Sequence, residues 1–430
     1  MRILLAALLL AAPAVAAPPP PASPTELKTT ITALVGFGTR HTLSDTSSET
    51  RGIGAARRYA QRRFEAISRD CGGCLTIDLP AKMMTSARVP VPAEVVDVLA
   101  IQKGTTDPDR IIIMSAHIDS RNSDPLDARG DAPGANDDGS GTAAVIEAAR
   151  LLSKQKFAAT IVYAVLSGEE QGLLGGKILA DTAKARGWQV EAVLNNDIVG
   201  NSTGSSGAKD DRTVRVFSEG TKAVETPEQA GRRRYNGGEV DSSSRNLSRF
   251  IAALAAPALA VEQVWRTDRF GRGGDQTPML EAGYPAVRIT ERQENYDRQH
   301  QNVRTEAGRR YGDLLDGVDF AYLAKVTDLN VRALAALATA PAPPRGVTIE
   351  GQVSPDTVLK WQAVPGATGY RVWWRHTTAA QWQEHRDAPA DATSLTLKGI
   401  DIDSWFFGVA ALGPGRTMSP VVFPGPAGAF

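Results

Sequence analysis

The stretch "TIVYAVLSGEEQG" (160–172) joins an apolar run to two adjacent glutamates, Glu169 and Glu170. Eight residues rich in Val and aromatic or β-branched side chains read as a strand buried on both faces. Adjacent carboxylates repel, and neighbouring side chains on a strand point to opposite faces, so two glutamates at the end of such a strand need a reason. The same pattern recurs along the chain. "RIIIMSAH" (110–117) runs into "HID", and "VEAVLNND" (190–197) ends on an aspartate. Further short apolar runs are "VRVFSE" (214–219), "ALAVEQVW" (258–265) and "PAVRIT" (285–290). Between them lie helix-like stretches, "GTAAVIEAARLLSK", "GLLGGKILADTAKARG" and "SSSRNLSRFIAALA". Apolar strands alternating with helices imply an α/β fold with a mostly parallel central sheet covered by helices on both faces. In such folds sites form beyond the carboxyl ends of the strands, which is where the histidines and carboxylates fall.

Outside that region the 430-residue chain is long enough for a second domain. A long helix is expected over roughly 307–338, stopped by "TAPAPPRG". The segment 341–430 changes character: "TVLKWQAV", "GYRVWWRH", "SLTLKGI" and "WFFGVAAL" alternate in period two, as in a small all-β sandwich. With Trp361 on an early strand, Tyr370 opening the next and Leu397 before the last strands, it resembles a fibronectin type III domain. The first residues have a positive start at Arg2, an apolar core from Ile3 to Ala12 and small residues at Ala14–Ala16. They read as a signal peptide, 1–16, followed by a Pro-rich spacer, 17–24, so that export to the periplasm or the medium is expected. No later run is apolar for long enough to span a bilayer. Lys plus Arg equals Asp plus Glu at 48 each, which argues against a nucleic-acid partner. The two cysteines, Cys71 and Cys74, follow a helix-like stretch, and in an exported protein they are expected to close a small local disulfide. "RRR" (232–234) reads as a solvated loop.

The strand ends carry the chemistry. His117 and Asp119 could pair as a metal ligand and the group that orients it. In "GANDDGSG", Asp137 and Asp138 open a helix; capping accounts for one of them, not both. Asp197 ends an apolar strand, where a lone carboxylate is costly. His300 lies in a polar loop before the long helix. Of the five histidines, His376 and His385 belong to the β-rich segment and His41 has no evident partner, which makes it structural. Two histidines and three carboxylates are too many for one open metal position and enough for two, with zinc favoured and manganese or cobalt able to substitute. One glutamate is then left over to act as a general base.

The order His-x-Asp, "GANDDGSG", Glu-Glu, "NND" and a late histidine resembles that of the secreted bacterial dizinc aminopeptidases over about residues 35–335, and "TRHTLS", "RGIGAARRY" and "DQTPMLEAGYPAVRITE" are similar too. The resemblance implies a zinc exopeptidase fold over 25–340 and two Zn2+ ions. It implies Asp137 as the bridging ligand, His117 and Asp197 completing one metal, and Glu170 and His300 completing the other. Glu169 is implied as the catalytic base, and Asp119 as the residue orienting His117. It also implies a cis peptide between Asp137 and Asp138. The implied substrates are peptide or protein amino termini. The chain departs from the family at Gly274–Asp275–Gln276, where relatives carry Ser-Asp-His, and the tyrosine nearest the late histidine is Tyr296. Tyr296 and Arg288 are candidate oxyanion donors. Three alternatives stand beside this reading. A carboxypeptidase on the same scaffold would use cations such as Arg272, Arg288 and Arg292, and a one-zinc glutaminyl cyclase is disfavoured by the full ligand set. A noncatalytic metal-containing binding protein has no use for Glu169.

Overall fold

Each apolar run found in the sequence forms a strand of one eight-stranded sheet. Its spatial order is Leu75–Asp78, Val98–Gln102, Ala159–Leu166, Asp107–His117, Gln189–Asn196, Ala286–Glu291, Thr213–Ser218 and Ala260–Val264. The structure is a computed structural model that describes residues 19–429; the expected signal peptide lies outside the described residues. The four central strands run parallel, while Leu75–Asp78 pairs antiparallel with Val98–Gln102, Val98–Gln102 with Ala159–Leu166, and Thr213–Ser218 with Ala286–Glu291. Ala159–Leu166 is buried throughout, as a strand covered on both faces must be.

One face packs against the helices Pro24–Gly36, Gly52–Asp70, Gly139–Leu152 and Phe320–Thr339 through a large apolar cluster that includes Ile112, Met114, Ile161, Tyr163 and Leu334. The other packs Ile111, Ile113, Val162 and Val193 against Leu179 and Met279 of the helices Leu174–Ala185 and Gln276–Glu281. Cys71 and Cys74 form the expected local disulfide just after the helix Gly52–Asp70. Among the described residues no helix is long and apolar enough to cross a membrane.

Register levels the strand ends. His117 pairs with Leu166, Ser115 with Asn195, and Asn196 with Ile289. The residues after these positions therefore emerge side by side at one edge, and the site assembles there.

Two local expectations are corrected. The long helix begins at Phe320, not near 307, because Asp319 caps it by accepting from the amides of Ala321 and Tyr322. Residues 304–311 instead form a small hairpin, Arg304–Glu306 with Arg309–Tyr311. "RRR" (232–234) is helical, within Pro227–Asn236, which starts with a reciprocal cap between Thr226 and Gln229. The end of the Pro-rich stretch is also tied down: the amide of Ala22 donates to Asp328 and that of Ser23 to Glu147.

Beyond Thr339 the chain makes two three-stranded antiparallel sheets. Thr348–Glu350, Thr357–Lys360 and Ser394–Leu397 form one; Glu384–Pro389, Gly369–His376 and Trp405–Leu412 form the other. Trp361, Tyr370, Val372, Leu397 and Phe407 fill the space between them, with the Trp361 and Tyr370 rings 5.2 Å apart. These sheets are fastened to the residues around the eight-stranded sheet by buried charge. Arg375 contacts both carboxylate oxygens of Asp241 at 2.8–2.9 Å, and Arg249 donates to Asp241 at 2.9 Å and to the carbonyl of Ala380 at 2.7 Å.

Candidate metal centre

His117, the last residue of its strand, is 2 % exposed. Its Nε2 lies 3.2 Å from Asp137 Oδ1 and 3.9 Å from Asp197 Oδ1. Its Nδ1 lies 3.1 Å from the carbonyl oxygen of Asp119, whose carboxylate is 3.6 Å away. Asp119 is wholly buried, and its two carboxylate oxygens accept from the amides of Glu169 and Glu170 at 3.2 and 3.1 Å. The residue that faces the first histidine thus also clamps the Glu-Glu turn.

That turn is built from Gly168 and Gly172, both at positive φ (79° and 122°), with Glu169 accepting from the amides of Gly172 and Leu173. It leaves Glu169 partly exposed and buries Glu170. Glu170 Oε1 lies 2.9 Å from His300 Nε2, and its Oε2 accepts from Arg121 Nε at 2.9 Å. Arg121 offsets the negative charge that made adjacent glutamates costly. Glu169 remains crowded: in the metal-free protein the loss of water around its half-buried carboxyl, helped by the carboxylates of Asp197, Glu170 and Asp275, outweighs His117 and pushes it well above the ordinary range.

Asp137 sits between the histidines, with Oδ1 3.2 Å from His117 Nε2 and Oδ2 3.0 Å from His300 Nε2. The peptide joining it to Asp138 is cis. Its own amide donates to Asp313 at 2.7 Å, and that of Asn136 donates to Asp313 at 3.0 Å. Asp138 caps the helix Gly139–Leu152 through the amide of Gly141 and also accepts from the amides of His117 and Ile198. One carboxylate therefore ties together the end of the His117 strand, the start of the helix and the turn after Asp197. Asp197 is held by Arg288, whose Nη1 lies 2.6 Å from its Oδ2. Burial disfavours the Asp197 charge, but Arg288 and His117 outweigh it and hold the carboxyl below its usual range.

The sequence-derived residues thus form two sets, His117–Asp137–Asp197 and Asp137–Glu170–His300, whose offered ligand atoms lie within 4.8 Å of one another in each set and which share Asp137. These sets fit bound cations. Despite these short distances, among the described residues nothing makes a well-oriented hydrogen bond to the buried His117 Nε2 or Glu170 Oε1, and buried polar atoms are rarely left so. Carboxylates and imidazoles converge on common points, where only a proton or a cation relieves the repulsion. The protons show the same demand: burial disfavours a charged His300, yet Glu170 and Asp137 push it up to about 10.

Sequence reasoning missed several supports. Asp313 and Arg121 are scattered polar residues without a periodic signal, whereas Asp138 is the helix cap that the pair in "GANDDGSG" announced. Glu291 sits inside the run "PAVRITE" yet accepts from Asn136 and Asn201. Arg40, fully buried, donates to the carbonyls of Ile118, Pro133 and Gly134 and so fixes both loops of the site. His41 is structural as expected: its Nδ1 accepts from the amide of Leu43, and its Nε2 lies 2.9 Å from the carbonyl of Pro125. Tyr296 is 60 % exposed. Arg272 pairs with Glu294 and Arg292 with Glu262.

A cluster of this kind on a parallel sheet edge defines a metal-dependent hydrolase scaffold. Residues 97–316, which contain every site residue singled out in the sequence, match the model for peptidase family M28. A "Probable zinc metalloprotease" of Leptosphaeria maculans is 44 % identical over 412 residues, covering 94 % of this chain and 95 % of the relative. Another so named, from Pyrenophora teres f. teres, is 42 % identical over 414 residues, covering 94 % of this chain and 85 % of the relative. The chain belongs to peptidase family M28 and is a metallopeptidase. These relatives are fungal, which corrects the expectation that the likeness is to bacterial members. Among solved structures, the Legionella pneumophila LapA aminopeptidase aligns with a TM-score of 0.53 at 18 % identity, over 74 % of this chain and 72 % of that one. An aminopeptidase from Aneurinibacillus sp. strain AM-1 aligns with a TM-score of 0.50 at 14 % identity, over 74 % and 94 %. At these identities the likeness is one of fold.

Proposed function

We propose that the chain is an exported dizinc aminopeptidase, which removes residues from the amino termini of peptides. The observation that carries this is the pair of ligand sets joined through Asp137, with Glu169 beside them on the turn that Asp119 clamps. His117, Asp137 and Asp197 would hold one zinc, and Asp137, Glu170 and His300 the other. When bound, the two ions supply Lewis acidity toward a scissile carbonyl and lower the pKa of a water. Glu169 takes a proton from that water as its oxygen bonds to the carbonyl carbon. It then gives the proton to the departing amine nitrogen as the C–N bond breaks. A carboxylate placed beside the water suits both proton transfers. Asp119 keeps Glu169 and His117 in register. The names of the two aminopeptidases sharing the fold support the choice of terminus.

A carboxypeptidase needs a free cation for the substrate carboxylate, and Arg272, Arg288 and Arg292 each face a carboxylate of the protein. A noncatalytic role leaves Glu169 unexplained. We read 341–430 as a fibronectin type III-like module, and residues 1–16 as a signal peptide.

The test is hydrolysis of paired peptides that differ only in a free or acetylated amino terminus, with and without a chelator. Cleavage confined to the free-amine peptide and abolished by the chelator is expected. Cleavage of the acetylated peptide contradicts the aminopeptidase reading.

A further inference from the structure

The two ligand sets are backed by opposite chemistry. Behind His117 stands Asp119, an acceptor for the ring nitrogen that faces away from Asp137. A ligand histidine is normally held this way, by a carboxylate or carbonyl that takes its second N–H and raises its basicity. Behind His300 stands an arginine. Arg121 Nη2 lies 2.7 Å from His300 Nδ1, and its Nε lies 2.9 Å from Glu170 Oε2. A guanidinium has only donors, so Arg121 cannot accept the Nδ1–H that a ring coordinating through Nε2 carries, and among the described residues no carboxylate or carbonyl accepts from that nitrogen. Arg121 thus spans both ligands that are unique to the second set. The first set is not free of cations, since Arg288 faces Asp197, but there the arginine touches one ligand and Asp119 faces the other. Arg121 is 14 % exposed at its side chain and Glu170 4 %, so solvent screens the contact little.

Resting on the dizinc reading, we propose that Arg121 is a positioning residue that weakens and tunes the Glu170–His300 metal position, making the two positions unequal and the second readily exchangeable. Its cation gives the second ring N–H no acceptor, adds positive charge beside the imidazole and partly neutralises the Glu170 carboxylate. These effects lower the affinity of these two ligands for zinc. The ion pair with Arg121 also keeps Glu170 in place when that position is vacant.

The test is a zinc titration of the metal-free protein against a chromophoric chelator, with bound zinc counted by elemental analysis. Two zinc ions binding in two unequal steps are expected, the weaker step being absent in His300→Ala. In Arg121→Met the weaker step is expected to tighten by about 10–100-fold, the usual reach of a residue behind a metal ligand. Arg121→Lys keeps a cation and is expected to stay near the wild type. Equal steps in the wild type, or a weaker step unchanged or further weakened in Arg121→Met, overturn the inference and leave the dizinc reading intact. If Arg121→Met does not fold, Arg121→Gln carries the same expectation. A protein that binds no zinc overturns both.

Discussion

The two histidines of the site are held in contrasting ways. His117 ends a central strand and pairs with Leu166 on one side, while Ser115, two residues before it, pairs with Asn195 on the other. It is 2 % exposed, and its backbone amide is tied to Asp138. His300 rides on a loop at positive φ (53°), its side chain is 24 % exposed, and its second ring nitrogen faces Arg121. One half of the centre is thus part of the sheet, and the other is brought to it by a loop. A site on rigid elements is held more exactly than one on loops, so the difference locates adjustability on the His300 side.

Asp137 is the sharpest tool for breaking that contrast, because it serves both halves. Asp137→Ala is expected to abolish peptidase activity and to reduce bound zinc at both positions, read by elemental analysis and hydrolysis rate. Next come changes that strike one half. Asp138→Ala strips the acceptor from the buried amides of His117, Gly141 and Ile198. At about 1–3 kcal/mol for each buried group left unsatisfied, it should lower the unfolding free energy by several kcal/mol in urea melts. Arg309→Ala, on the small hairpin that follows the His300 loop, removes an exposed pair with Asp297 and should leave the melting midpoint unchanged. If the two substitutions proved equally disruptive, the division into a rigid half and an adjustable half would be wrong.

A subtler expectation concerns pH. In the metal-free protein His300 is raised to about 10 from its ordinary 6.5. Its contribution to stability is therefore complete below about pH 6.5 and fades as pH climbs through the folded value near 10. Thermal melts of metal-free protein should show this fall, and His300→Ala should flatten it. Zinc must displace that proton, so loading in the same window should release acid, measurable in a weakly buffered titration.

The strand-borne half was also the more legible in sequence. "RIIIMSAH", "TIVYAVLS" and "VEAVLNND" announce themselves through unbroken apolar runs, and register then forces His117, Glu169, Glu170 and Asp197 to one edge. His300 was visible only through its residue type and order, since a loop has no periodicity. Misplacing the helix start at 307 came from the same cause: the hairpin at 304–311 is set by turn residues such as Gly308, at φ 80°. Asp313, Arg121 and Arg288 were hard to place because they act through contacts between segments distant in sequence. The link between Asp241 and Arg375 was invisible for that reason as well. Nothing in "EVDSSS" or "WWRH" tells that Asp241 will meet Arg375 of the C-terminal sheets.

The division of labour on the Glu-Glu turn is the core of the functional account, and Glu169→Gln tests it most directly. With zinc content and hydrolysis of a free-amine peptide measured on the same sample, the expected result is two bound zinc ions with turnover lowered by about 10²–10⁴-fold. A variant that retains near-normal turnover, or one that loses its zinc, would contradict the assignment of Glu169 as the proton carrier beside a ligand Glu170.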